Sequence, residues 1–245
     1  ITLENWKSFR HAELYIDQLT VLIGTNASGK SNVVDALDFL NSMMQRASVE
    51  TVLIGDRFTP GIRGGIEWAA RKPETKFSFQ VLVDGEDKGN DYLYKITVEN
   101  TPSVQVVDES LTLIDSQNIS DNNSCQQLFF VSFTYEKNRI IYKHYEAEKE
   151  VIEKFYPTPN PWLGHSTDKI PFYEFDDVNQ MMSAQIIVPE ILKNIFILNP
   201  IPSQMRYPSP LSTKLERDGS NIAGVLAALP QPIKAQVEEK LLVVL

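Results

Sequence analysis

The chain has 245 residues, 42% of them apolar, enough for a full-sized buried core and too many for wholesale disorder. Its net charge of −9 and pI near 4.9 argue against a grip on DNA by bulk electrostatics, although a local patch around Arg57, Arg63, Arg71 and Lys72 stays open beside scattered surface charge. No apolar run is long enough to span a membrane, and the single cysteine, Cys125, excludes internal disulfides and a cysteine-based zinc site, which fits a reducing, cytosolic setting.

Residues 2–18 read as two short strands, the second half-buried because Leu14 and Ile16 alternate with polar neighbours. Leu19 to Ile23 (LTVLI) is an apolar run rich in β-branched residues, the pattern of a strand buried on both faces. It runs into Gly24-Thr25-Asn26-Ala27-Ser28-Gly29-Lys30-Ser31, which satisfies every fixed position of the P-loop pattern G-x-x-x-x-G-K-S/T. Val33, Val34, Leu37, Leu40 and Met44 then recur at helical spacing. Strand, glycine loop and helix form the context that a phosphate cradle needs. At average residue usage, chance produces the pattern in about one chain of this length in a hundred.

Each fixed residue has a physical reason. Gly24 and Gly29 admit positive φ and carry no Cβ to hold the backbone away from a phosphate. The loop amides then form a concave anion nest at the positive end of the new helix. Lys30 is expected to reach the β- and γ-phosphates of ATP, and Ser31 to give its hydroxyl to Mg²⁺.

Ser48 to Arg71 is polar and glycine-containing, a long loop with weak helical pieces. Arg63, between Gly61 and Gly64, suits either an approach to a phosphate or partner or a solvated loop charge. From Lys76 to Tyr145 the period changes to two, with strand candidates at 77–83, 92–98, 104–107, 110–114, 128–134 and 139–142. Such meandering strands predict an antiparallel sheet. Residues 146–155 read as a solvated helix and 156–169, punctuated by proline, as an exposed loop in which His165 has no partner spacing for a metal. Asp176 and Asp177 do not end a buried strand, so they fail as a Walker B pair, and Asp177 instead starts a helix near Val178. Met181 to Leu192 reads as a helix interrupted near Pro189, Asn194 to Leu198 as a short strand. Residues 212–229 end in a helix capped by Ser220 or Asn221, and Pro232 opens the last helix.

The residues Asn5-Trp6-Lys7-Ser8-Phe9, a short hairpin, and then Gly24 through Asn32 as G-T-N-A-S-G-K-S-N resemble the start of ABC-type ATPases of the SMC, RecF and OLD group. Asn26 and Asn32 carry much of the likeness, because the general P-loop pattern requires neither. Asp218-Gly219-Ser220-Asn221-Ile222-Ala223 resembles the start of the helical region in AAA-like ATPases of bacterial defence. The resemblance implies an α/β fold, the first lobe of a P-loop NTPase head with an antiparallel β-subdomain and C-terminal helices. It divides the chain into 1–75 (first part of the core), 76–145 (β-subdomain), 146–210 (helices and a return strand) and 211–245 (start of the helical region). It implies that Lys7 lies near the nucleotide, an exposed strand lysine being the other reading, and that Gln204 meets Mg²⁺, against a surface glutamine in a proline-rich turn. Trp6 and Phe9 are expected in the core.

The resemblance also implies a second lobe, C-terminal to residue 245 or on another chain, with the Walker B acids and signature loop that hydrolysis needs. Two such heads sandwich nucleotide, so a homo-oligomer through the heads and an effector or nuclease partner in antiphage defence or DNA maintenance are implied. The rival readings are a nucleotide-gated scaffold without turnover and a small-molecule kinase, the latter disfavoured by the long β-insertion.

Overall fold

The computed structural model describes residues 1–45, 48–57, 60–85, 90–115, 125–134, 139–142 and 178–242. The solvated helix and proline loop expected at 146–169, His165 and the pair Asp176-Asp177 lie outside them. The described chain forms two compact units, Ile1–Ile195 and Phe196–Leu245.

In the first unit, strands β1 (Thr2–Glu4), β2 (His11–Glu13), β3 (Lys76–Asp84), β4 (Asn90–Glu99), β5 (Gln105–Asp115), β6 (Cys125–Thr134) and β7 (Arg139–Tyr142) form one antiparallel sheet, in the order β2-β1-β3-β4-β5-β6-β7. The expected antiparallel block is therefore present, and it is wider than the sequence predicts. Leu3 pairs with Phe79, so the two N-terminal strands belong to the edge of the same sheet. The separate candidates at 104–107 and 110–114 are one strand, β5, offset against β4 by a bulge between Thr97 and Val98.

Period two decides the faces. Phe77, Phe79, Val81 and Val83 on β3 are buried and oppose Val98, Ile96, Tyr94 and Tyr92 on β4, while Lys76, Leu82 and Asp84 face outward. An acid enters this core from the sheet: Glu109 accepts a 2.8 Å hydrogen bond from the Tyr94 hydroxyl. Burial first, and the neighbouring carboxylate second, push the Tyr94 phenol well above its usual range.

Helices α1 (Lys30–Met44), α2 (Val49–Ile54) and α3 (Val178–Lys193) complete the unit, with a 3₁₀ turn at Ile66–Trp68. The apolar face of α1, with Ala36, Phe39, Leu40, Met43 and Met44, shares one core with the sheet. Its centre is an aromatic cage in which Trp6, Phe39, Phe77 and Phe79 meet at centroid distances of 4.9 to 5.8 Å. Trp6 is the core residue that the sequence predicts.

Two expected strands are absent. Leu19 to Ile23 takes no strand pairing, and Leu19, Val21 and Ile23 are 84%, 72% and 87% exposed. A strand buried on both faces needs paired neighbours and a layer on each side. The described residues supply neither, and the β-branched run is left bare. Likewise Asn194 to Leu198 forms no strand, and Phe196 and Leu198 are exposed.

In the second unit, Asn199 and Ile201 donate their amides to the carbonyls of Arg217 and Asp218, and helices α4 (Ile222–Ala228) and α5 (Gln231–Leu242) follow. Asn221 stands at the N-cap of α4, but its side chain accepts from the Glu216 amide and donates to the Lys214 carbonyl, so it pins the preceding turn rather than the helix. The Asp218 carboxyl, hydrogen-bonded by the Ser220 amide, is held below its usual range.

Candidate nucleotide site

The loop before α1 adopts the backbone that its glycines allow. Gly24 and Gly29 have φ of 154° and 93°, and Ala27, which has a Cβ, also takes a positive φ of 64°. A Cβ at Gly24 would lie 2.8 Å from Ser28 Oγ, and one at Gly29 2.8 Å from Phe9 Cζ. Both glycines are thus favoured by dihedral, and Gly29 also by the space that the Phe9 ring leaves it.

The start of α1 is open. Gly29 at the N-cap offers no side chain, the first turn holds no acidic residue, and no side chain caps it. The Asn32 and Val33 amides return to Gly29 O at 2.8 and 3.1 Å. Helix α2 shows the ordinary solution: Ser48 accepts from the Thr51 amide at 3.0 Å and Glu50 sits in the first turn. A 15-residue helix with its positive end uncompensated is a place for an anion.

Lys30 supplies the local cation. Its Nζ donates to the carbonyls of Gly24 and Thr25, both at 2.7 Å, and to Ser28 Oγ at 3.3 Å. The ammonium therefore lies over the loop that would hold phosphates. Thr25, Asn26, Ala27, Ser28 and Ser31 are exposed, and Ser31 follows Lys30 on the first turn. This donor set fits a nucleotide with Mg²⁺: loop amides and Lys30 for phosphate oxygens, the Ser31 hydroxyl for the metal. The bound metal would neutralise phosphate charge; the chain's own part is to orient the phosphates and to supply fixed positive dipoles.

The N-terminal segment braces this helix. Trp6 Nε1 donates to Asn32 O at 2.8 Å, Asn32 Nδ2 donates to Ser8 Oγ at 2.7 Å, and Phe9 stacks on Gly29. Asn32, whose place after the P-loop carries part of the family likeness, is thus tied to the segment at residues 6–8. Lys7 is neither an exposed strand lysine nor turned to the loop. Its side chain is 8% exposed and its Nζ contacts Asp35 Oδ2 and Arg63 O, each at 2.5 Å. Arg63 in turn grips Asp35 with Nε and Nη2 at 3.1 and 2.9 Å.

Asp35, which joins these two cations, is not singled out by the sequence reading. A signal existed: it occupies a position on the apolar face of α1, beside Val33, Ala36 and Leu37, where a carboxylate needs cationic partners. Gln204 belongs to the second unit. It is exposed on a turn in which its amide donates to Ile201 O at 2.9 Å. Among the described residues no group of three or more histidine, cysteine, aspartate or glutamate side chains is arranged to hold a metal, and no helix is long and apolar enough to cross a membrane.

Loop, lysine and open helix end are present, while the strand that precedes them in the P-loop pattern is unpaired. Compared with known protein families, residues 1–170 match the AAA ATPase domain, so the chain belongs to that family. Comparison with curated proteins and with solved structures returned no match. The family is one of ATPases that use ATP and Mg²⁺.

Proposed function

We propose that this chain is an ATP-binding and ATP-hydrolysing head of the ABC-type SMC/RecF/OLD group, which dimerises on nucleotide and controls an effector or nuclease in antiphage defence or DNA maintenance. The observation that carries the nucleotide part is the uncapped, acid-free start of α1 with Lys30 folded over the Gly24–Gly29 loop. ATP and Mg²⁺ bind there through the loop amides, Lys30 and Ser31. Lys7, held by Asp35, acts on the site through the helix rather than on phosphate. The resemblance of Asn5–Phe9 and Gly24–Asn32 to that group supports the head assignment, and the net charge of −9 favours a protein partner over a stand-alone grip on DNA. A cytoplasmic location follows the single cysteine.

Replacing Lys30 by alanine removes the only side-chain cation on the loop. Calorimetric titration of Mg-ATP should give measurable affinity for the wild type and a loss of at least about a hundredfold for Lys30→Ala, roughly 3 kcal/mol. Equal affinities would sink the assignment.

A nucleotide-gated scaffold is the second reading, and one observation favours it. The buried carboxylate on the P-loop helix, Asp35, is already engaged by two cations and is not poised to orient water. Sustained phosphate release by the intact assembly supports the enzyme; binding without release supports the scaffold.

A further inference from the structure

The contacts of segment Asn5–Phe9 follow one row of α1. Phe9 packs on Gly29, Trp6 and Ser8 reach Asn32, and Lys7 reaches Asp35, positions three apart along the helix. The other side of the segment is bound to the chain at 63–71. Lys7 N donates to Ala69 O at 2.9 Å, Arg71 N donates to Asn5 O at 2.8 Å, Trp6 bridges to Ala70, and Lys7 Nζ reaches Arg63 O. The segment is therefore a link between the P-loop helix and the glycine loop at 61–65. To make it, Asn5 and Lys7 adopt φ of 51° and 50°, a conformation that costs a lysine free energy and persists where surroundings impose it.

One carboxylate holds the link closed. Asp35, 8% exposed in its side chain, faces the Lys7 ammonium on one side and the Arg63 guanidinium on the other. Lys7 also lies 5.6 Å from the Trp6 ring centroid, within cation–π range. Without the negative charge, the buried Lys7 ammonium would lose its carboxylate partner one helical turn from Ser31.

We propose that Asp35 is a positioning residue for the nucleotide site: through Lys7 and Arg63 it clamps the 61–65 loop and the Asn5–Phe9 segment onto α1, and so holds Gly29, Lys30 and Ser31 in register for phosphate. The proposal rests on the nucleotide reading above. Its specificity lies in the pairing: Lys7 and Arg63 act through Asp35, and their effects are one effect.

The test is Mg-ATP affinity by calorimetry on the full chain for the wild type, Asp35→Asn, Arg63→Gln, Lys7→Met, Lys7→Arg and the double variant Asp35→Asn/Arg63→Gln, each with a thermal melt. Arg63 is 60% exposed in its side chain, so Arg63→Gln keeps the fold if Asp35→Asn does not. The expected result is an affinity about tenfold weaker for Arg63→Gln and Lys7→Met, largely restored in Lys7→Arg, and no further loss in the double variant. Amide exchange at Gly61–Gly65 should also accelerate in Arg63→Gln. Melting temperatures that fall while affinities stay at the wild-type value would overturn the proposal, as would losses that add in the double variant. If Lys30→Ala abolishes binding and Arg63→Gln and Lys7→Met do not weaken it, only the positioning role fails. If Lys30→Ala binds like the wild type, the nucleotide reading itself fails.

Discussion

Gly29 is held by two constraints that separate experimentally. Its φ of 93° is unfavourable for any residue with a Cβ, and the added atom would meet Phe9 at 2.8 Å. Gly65, with φ of 59°, has no atom within 4 Å of a Cβ. Gly65→Ala, at φ 59° and ψ −158°, should therefore lose about 1–3 kcal/mol of stability from the backbone alone and change Mg-ATP affinity less than Gly29→Ala does. Gly29→Ala should lose more stability, and its affinity should fall at least about tenfold, because the start of α1 must shift to clear the ring. Titrations and urea melts of both variants decide this; matching affinities would mean that Phe9 yields freely. At this scale the sequence is informative where chemistry demands one residue type. The loop residues Gly24 to Ser31 are legible because few residues tolerate their dihedrals and charges. Lys7 is not, because one lysine can serve a phosphate or a carboxylate, and the choice rests on Asp35, which reaches it only through folding.

The elements show how a helix can fasten a distant one. Asn41 on α1 points its Nδ2 at the carbonyls of Leu192, Lys193 and Ile195, at 3.1, 2.7 and 3.2 Å, and so caps the C-terminus of α3 from outside. Its Oδ1 accepts from Gln45 Nε2 at 2.6 Å, which fixes the amide's orientation. Asn41→Ala should destabilise the chain by about 1–3 kcal/mol, and Asn41→Asp by more, since a carboxylate would face three carbonyl oxygens. Chemical denaturation measures both; an aspartate variant as stable as the wild type would show that α3 ends independently of α1. The antiparallel sheet and the P-loop helix were legible, because alternating or 3.6-residue periodicity survives into burial; α3 was legible as a helix, but it runs unbroken through Pro189, where the sequence predicts an interruption. The run Leu19 to Ile23 was read as a buried strand because its composition is that of one. Composition reports what a segment can bury and not which neighbours arrive to cover it.

Taken whole, the chain divides its apolar residues unevenly. Leu3, Trp6, Phe39, Phe77 and Phe79 are 0–1% exposed, while Val21 and Ile23 lie on the surface. Thermal melts should register this contrast. Phe79→Ala should cost about 3–5 kcal/mol, whereas Ile23→Thr should stay within about 0.5 kcal/mol of the wild type. A loss above about 1.5 kcal/mol for Ile23→Thr would place that side chain in a packed setting after all. The position of Trp6 has a spectroscopic consequence. Its indole sits in a dry aromatic cage with its N–H on Asn32 O, one residue past Ser31, whereas Trp68 is 61% exposed. The two rings therefore emit from opposite environments, Trp6 towards the blue and Trp68 towards the red. With Trp68 and the third tryptophan of the sequence, Trp162, both replaced by phenylalanine, a shift in the blue band on adding Mg-ATP would read the first turn of α1 directly, with no label attached.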